Sequence, residues 1–312
     1  MSVRALATAF ALLVALATRD ARADAVSGSL TIVGSDTLST LVLRWSDAFR
    51  ARHPGVSIQL QTPGSASAPI ALLEGAADIG AMSRPMSDEE SARFRARFGY
   101  APTGIEVAHD AIVVFVHPDN PLVSITKREL DAIYSDTRRC GATAAVDRWD
   151  AIQPAHAGAA GARILATGRN SASGTSEFFR ERALCGGEYR ADVVVWPGHG
   201  ATVAAVAGNR DAIGYAGIGY VNGLVKPLAF AAADGVPPVA PVMANVMNGD
   251  YPLARPLYLY VNRPPDRASA PLPAAFLAYV LSDEAQAEVT EDGFLPLAHD
   301  ERDAQTRLIH GH

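Results

Sequence analysis

Gly34-Ser35-Asp36-Thr37 and Arg169-Asn170-Ser171-Ala172-Ser173-Gly174-Thr175 are the two stretches on which the fold turns. Each follows a β-like run, Leu30-Thr31-Ile32-Val33 and Ala162-Arg163-Ile164-Leu165. Each opens a helix-like stretch, over 38–52 and 176–184. Small hydroxyl residues and glycine at a strand-to-helix turn expose backbone N–H groups at the positive end of a helix, which suits an anion. One such turn is common. Two of them, one carrying an arginine able to fork onto an oxyanion, predict a site closed from both sides.

Outward from these turns, strand and helix signals alternate, the pattern of an α/β protein. Leu38, Leu41, Val42, Trp45, Ala48 and Phe49 form one helical stripe, stopped by His53-Pro54-Gly55. A strand over 56–60, a turn at Thr62-Pro63-Gly64-Ser65, a helix over 69–74, a buried strand over 77–82 and a charged helix over 88–97 follow. The apolar run 111–116 meets the breakers His117-Pro118-Asp119-Asn120-Pro121, which reads as one crossing between two lobes. Thr126 and Glu129 form a capping box for a helix over 126–134. Beyond it lie a strand over 193–196, a helix over 202–209 and the glycine-rich run 212–220. Residues 255–262 read as a second crossing, with closing helices over 273–281 and 283–290. The expected division is therefore a discontinuous first lobe, 26–116 plus 255–312, and a second lobe, 117–254. Thr37 and Ser65 fall on one side of the crossings and the 169–175 turn on the other.

Met1-Ser2-Val3-Arg4, the apolar run 5–17 and the small-residue sites around Ala23 and Ala25 describe a secretory signal peptide over 1–25. The run is shorter than the roughly 20 residues that span a bilayer, so export to the periplasm with cleavage is expected. The chain has 312 residues and a net charge of −6, which argues against nucleic acid as a partner. A small anion stays open, because local N–H groups and one arginine suffice to hold it. In an exported chain the two cysteines, Cys140 and Cys185, form an expected disulfide; neither has a histidine at zinc-finger spacing.

The chain resembles the phosphate-binding proteins of ABC-type phosphate uptake systems, within the wider family of exported solute-binding proteins. The likeness is carried by GSDTL at 34–38, GSASAPIALLEGAADIGAMSR at 64–84, AIVVFVHPDNPL at 111–122, RNSASGT at 169–175 and AIGYAGIGY at 212–220. It implies the two-lobed type 2 periplasmic-binding-protein fold, closing on an oxyanion without cofactor, metal or chemistry on the ligand. It also implies a monomer that delivers inorganic phosphate to a membrane permease. Carried over by motif, the ligand-binding residues are Thr37 and Leu38, Ser65, and Arg169, Ser173, Gly174 and Thr175. The best-known members of the family follow the GxxDIGA block with an aspartate that accepts the proton of hydrogen phosphate, where this chain has Ser83-Arg84. Ser83 can donate and accept, Arg84 adds a positive charge if it turns inward, and Asp36 or Asp110 are candidate replacement acceptors.

The departure at Ser83 keeps other tetrahedral oxyanions, sulfate, molybdate or tungstate, as the alternative ligands. A secreted hydrolase or phosphatase finds less support. There is no G-x-S-x-G elbow or H-E-x-x-H spacing, and the S-x-x-K match at Ser124–Lys127 is better used by Thr126 as a helix cap. Thr37 and Ser173 also fit plain helix capping. His109, His199 and His299 read as ordinary polar residues, and His310 and His312 as part of a frayed tail.

Overall fold

The computed structural model describes residues 26–152 and 162–310. The expected leader at 1–25, nearly all of the alanine-rich loop at 155–162, and His312 lie outside them. β1 (Gly28–Gly34) runs parallel to β2 (Val56–Gln61) on one side and β3 (Ile79–Met82) on the other. The connections are α1 (Ser39–Arg52) and α2 (Ser67–Leu73), as parallel strands require. The stripe foreseen on α1 does face inward: Leu41, Val42, Trp45 and Phe49 are buried against Leu30 and Ile32 of β1. α3 (Asp88–Phe98) starts at a Ser87–Glu90 capping box and stops at Gly99, whose φ of 84° suits a glycine.

The centre of the sheet is β4 (Thr103–Val116), longer than the strand expected over 111–116. Its first part pairs antiparallel with β11 (Ala254–Val261), from Thr103↔Val261 to Ala111↔Ala254, through an irregularity at Leu257/Tyr258. Its second part, Ile112 to Val116, pairs antiparallel with β8 (Ala212–Gly217). One strand thus serves two ladders and changes partner between Ala111 and Ile112. Beyond β8 lie β6 (Leu165–Arg169) and β7 (Val194–Trp196), both parallel. The order is β2-β1-β3-β11-β4-β8-β6-β7, with β9 (Lys226–Pro227) against the end of β4. β5 (Ser124–Thr126) and β10 (Ala229–Ala231) form a separate parallel pair.

Buried side chains divide along the same line. Ile105, Val107 and Ala108 of β4 join the cluster of β1, α1 and α8 (Pro271–Val280). Ala111, Ile112, Val114 and Val116 join a second cluster with α4 (Lys127–Tyr134) and α5 (Gly174–Ala183). The capping box of Thr126 and Glu129 opens α4 as expected. Cys140 and Cys185 are joined by a disulfide with Cα atoms 5.4 Å apart, tying the loop after α4 to the end of α5.

Several elements depart from expectation. β6 begins at Leu165 and runs through Arg169, because Thr167 and Gly168 are ladder residues rather than the start of a turn. α6 (His199–Ala207) starts three residues before the expected 202. Its cap is Gly198, which offers no side-chain signal. α7 (Met243–Met247) follows β10, and α9 (Asp283–Glu291) follows α8 as expected. The C-terminal stretch forms α10 (His299–His310), anchored by buried Ile309, so His310 ends a packed helix instead of lying in a frayed tail.

Candidate functional site

β1 ends at Gly34, where φ is 147° and a side chain would sit 2.0 Å from the Ala81 carbonyl oxygen. Only glycine lets the chain leave β1 so close to β3. Ser35 N–H donates to that same carbonyl at 2.8 Å, and the turn delivers Thr37 and Leu38 to the start of α1. Leu38 buries its side chain in the core, so its backbone is what can face a ligand. On the other side, β6 hands Arg169 to a turn in which Ser173 N–H donates to Asn170 O at 3.1 Å. Ser173 then caps α5 through Ser176 N–H, and Gly174 and Thr175 form its first turn. Ser173 therefore fills the plain capping role as well.

The two turns meet. Thr37 Oγ1 lies 3.2 Å from Thr175 Oγ1, and both residues are fully buried. A second meeting lies beside it: Ala66 N–H donates to Ala172 O at 3.2 Å, and Gly64 packs on the same carbonyl. Ser65 Oγ accepts from Ser83 N–H at 3.1 Å and lies 3.2 Å from Ser83 Oγ. A Cβ on Gly174 would come 2.3 Å from Ser65 Oγ and 2.8 Å from Ser83 Oγ. The structure thus gathers Thr37, Ser65, Ser83, Arg169, Ser173, Gly174 and Thr175 into one buried region.

Arg169 is 3% exposed. Its Nη2 donates to Asp36 Oδ2 at 2.6 Å and to Pro197 O at 3.1 Å, and its Nε to Trp196 O at 3.3 Å. Its Nη1 is buried with no hydrogen-bond partner among the described residues. A buried guanidinium N–H without an acceptor is costly, so this atom marks where an acceptor belongs. Arg84 is differently placed. It forks onto Glu90 at 2.7 Å and reaches Glu177 at 2.5 Å, so two carboxylates already balance its charge.

Two participants escaped the sequence reading. Arg255, opposite Asp110 in the β11–β4 register, donates to Asp110 Oδ2 from Nε at 2.9 Å and Nη2 at 2.6 Å. The same Nη2 donates to Thr175 Oγ1 at 2.9 Å, and Asp110 Oδ1 accepts from Ile218 N–H at 3.1 Å. Asp110, named as a candidate acceptor, is therefore already engaged on both oxygens. His199, read as an ordinary polar residue, is buried with Nε2 2.9 Å from Thr37 Oγ1 and 3.4 Å from Thr175 Oγ1. Its Nδ1 accepts from Gly217 N–H at 3.1 Å, and its ring stacks on Tyr220. Burial, then the positive charges of Arg169 and Arg255, hold its pKa well below the usual histidine value, so it is neutral. No cluster of three or more histidine, cysteine or acidic side chains suited to a metal occurs among the described residues.

A model of the PBP superfamily domain matches residues 20–284. The Phosphate-binding protein PstS of Pseudomonas aeruginosa is 43% identical over 280 residues, covering 88% of this chain and 85% of that protein. Protein SphX of Synechococcus elongatus is 29% identical over 279 residues, covering 88% and 79%. Among solved structures, a phosphate-bound protein from Clostridium perfringens, assigned as a phosphate ABC transporter substrate-binding protein, superposes with a TM-score of 0.71 at 25% identity. It covers 87% of this chain and all of its own. An ABC-type phosphate transport receptor from Vibrio cholerae gives 0.67 at 23% identity over 86% of this chain, a likeness of fold. The architecture is the type 2 periplasmic-binding-protein fold that the sequence led us to expect. With a family model over most of its length and so similar a relative, the chain belongs to the PBP superfamily and, within it, to the family of phosphate-binding proteins.

Proposed function

We propose that this chain is an exported solute-binding protein that captures inorganic phosphate between two lobes and delivers it to an ABC-type membrane permease. The observation that carries the reading is the meeting of the two helix-opening turns beside Arg169 Nη1, a buried donor without a protein acceptor. The lobes part where β4 changes ladders, and the chain returns at the start of β11, between Leu253 and Arg255. The backbone N–H groups of Thr37, Leu38, Gly174 and Thr175 stand at the positive ends of α1 and α5. They, the hydroxyls of Thr37, Ser65, Ser173 and Thr175, and Arg169 would surround the anion. Ser83 Oγ takes the place of the carboxylate that accepts the phosphate proton in the best-known members. Asp36 holds Arg169 in place and balances part of its charge.

The ligand is bound and released unchanged, by a monomer without a cofactor, after export directed by residues 1–25. No helix among the described residues is long and apolar enough to cross a membrane. Calorimetric titration of the purified chain with phosphate and with sulfate tests the reading. Saturable one-to-one phosphate binding that sulfate fails to displace supports it. Preference for sulfate, favoured by the loss of a carboxylate at Ser83, would move the assignment to another tetrahedral oxyanion. Absence of binding to either would overturn it.

A further inference from the structure

We propose that His199 is a positioning residue of the anion site, its Nε2–H filling a lone pair of Thr37 Oγ1 so that the threonine hydroxyl hydrogen is directed to the ligand. The proposal rests on phosphate capture at this site and adds to it the means by which hydroxyls of ambiguous polarity are set as donors.

The tautomer follows from the backbone. Gly217 N–H can only donate, so Nδ1 of His199 is an acceptor and the proton of the neutral ring sits on Nε2. That N–H points at Thr37 Oγ1, 2.9 Å away, with Thr175 Oγ1 as a longer second partner at 3.4 Å. Thr175 has its own fixed donor, Arg255 Nη2 at 2.9 Å, and Arg255 is locked by Asp110. A serine or threonine hydroxyl has one hydrogen and accepts through its lone pairs, and it rotates to suit its surroundings. Here each threonine, one from each turn, already receives a bond from a group that cannot accept one in return. Each keeps its hydrogen and one lone pair. Without ligand one hydroxyl can donate to the other across their 3.2 Å contact. A bound oxyanion, which offers only acceptors on this side, draws both hydrogens to itself. Asp36 Oδ2, bonded to Arg169, lies 4.0 Å from Nε2, and Asp110, bonded to Arg255, lies beside Gly217 on the Nδ1 side. Tyr220, stacked on its face, gives its hydroxyl to the Asp36 and Thr37 carbonyls. The ring is thus held in orientation from three sides.

A role confined to packing beneath Tyr220 predicts a different outcome, so the test separates the two. Phosphate titrations compare the purified parent chain with His199→Asn, His199→Gln and His199→Phe. Asparagine can still accept from Gly217 N–H but stops short of Thr37, whereas glutamine carries an N–H to the position of Nε2. His199→Asn and His199→Phe should bind phosphate about tenfold more weakly, the worth of one hydrogen bond, and His199→Gln should recover most of the loss. In a Thr37→Val background, His199→Asn should cost nothing further, since the hydroxyl it positions is gone. Affinity within about threefold of the parent for His199→Asn, a change below 1 kcal/mol, overturns the proposal. An equal loss with and without the Thr37 hydroxyl also overturns it, in favour of packing. Should His199→Phe fail to fold, the asparagine and glutamine pair decides. A parent chain that binds no phosphate overturns both the functional reading and this one; a parent that binds alongside an unaffected His199→Asn overturns this one alone.

Discussion

Replacing Arg169 by alanine removes a guanidinium that holds Asp36, two carbonyls of the 196–197 turn and, on the functional reading, the anion. The loss has two parts. The anion forfeits a charge-assisted bond from Nη1, and Asp36 is left as an uncompensated carboxylate close to a dianion. Truncating one member of a buried hydrogen-bonded charge pair costs about 2–5 kcal/mol, on the order of thirtyfold to several thousandfold in affinity. Asp36 is partly exposed, its side chain 18% accessible, so solvent weakens its share of the penalty and the lower half of that range is expected. Asp36→Asn should cost less alone, because Arg169 keeps both carbonyls. The double variant Asp36→Asn/Arg169→Ala should bind better than the sum of the single losses predicts, by roughly 1–2 kcal/mol, the coupling of charges in direct contact. Calorimetry on the four chains yields the cycle. Additive losses would show that Asp36 and Arg169 act separately, and Arg169→Ala within about threefold of the parent would place the anion somewhere else.

Gly174→Ala should weaken phosphate binding about fivefold to 150-fold, since the added methyl group collides with Ser65 Oγ and overpacking costs about 1–3 kcal/mol; unchanged affinity would mean that the turns need not meet for binding. Replacing Cys140 and Cys185 by serine should cost up to about 4 kcal/mol of stability on the chain-entropy account, visible as a lower melting temperature with affinity little changed. Because burial holds the His199 pKa down, the unfolded chain takes up a proton below about pH 6.5 that the native chain refuses. The His199 contribution is therefore intact above that pH, and stability falls by about 1.4 kcal/mol per unit below it, until the native pKa is reached. Denaturant titrations of the parent and His199→Phe should diverge in slope there, and parallel pH dependences would contradict a buried neutral ring.

Much of this was legible in the chain. The two turns, the stripe on α1, the capping box at Thr126 and the cysteine pair are local or compositional signals. All were found, though the second turn is shorter than expected, since Arg169 belongs to β6 and α5 starts at Gly174. His199 was missed because Gly198 caps α6 without a side chain, hiding the helix start that turns the ring inward. Arg255 looked like the first residue of a crossing strand. Its partner Asp110 is distant in sequence, and only the strand register brings them face to face. The first part of β4 was overlooked because Glu106, His109 and Asp110 interrupt its apolar pattern, and its pairing with β11 passes through an irregularity.

The position of β11 bears on how the molecule assembles. This late strand lies between β3 and β4, both of which leave the ribosome long before it. Until residues 254–261 arrive, β3 and the first part of β4 each expose a free edge along what becomes the middle of the sheet, and the two halves stay unjoined on that side. Contacts between residues so far apart in sequence form slowly and reward the chain late. The joining of the two halves therefore waits for residues 254–261, whatever each half has formed before them. A nascent chain cut short before Ala254 keeps that open seam, an invitation to edge-to-edge aggregation and to degradation.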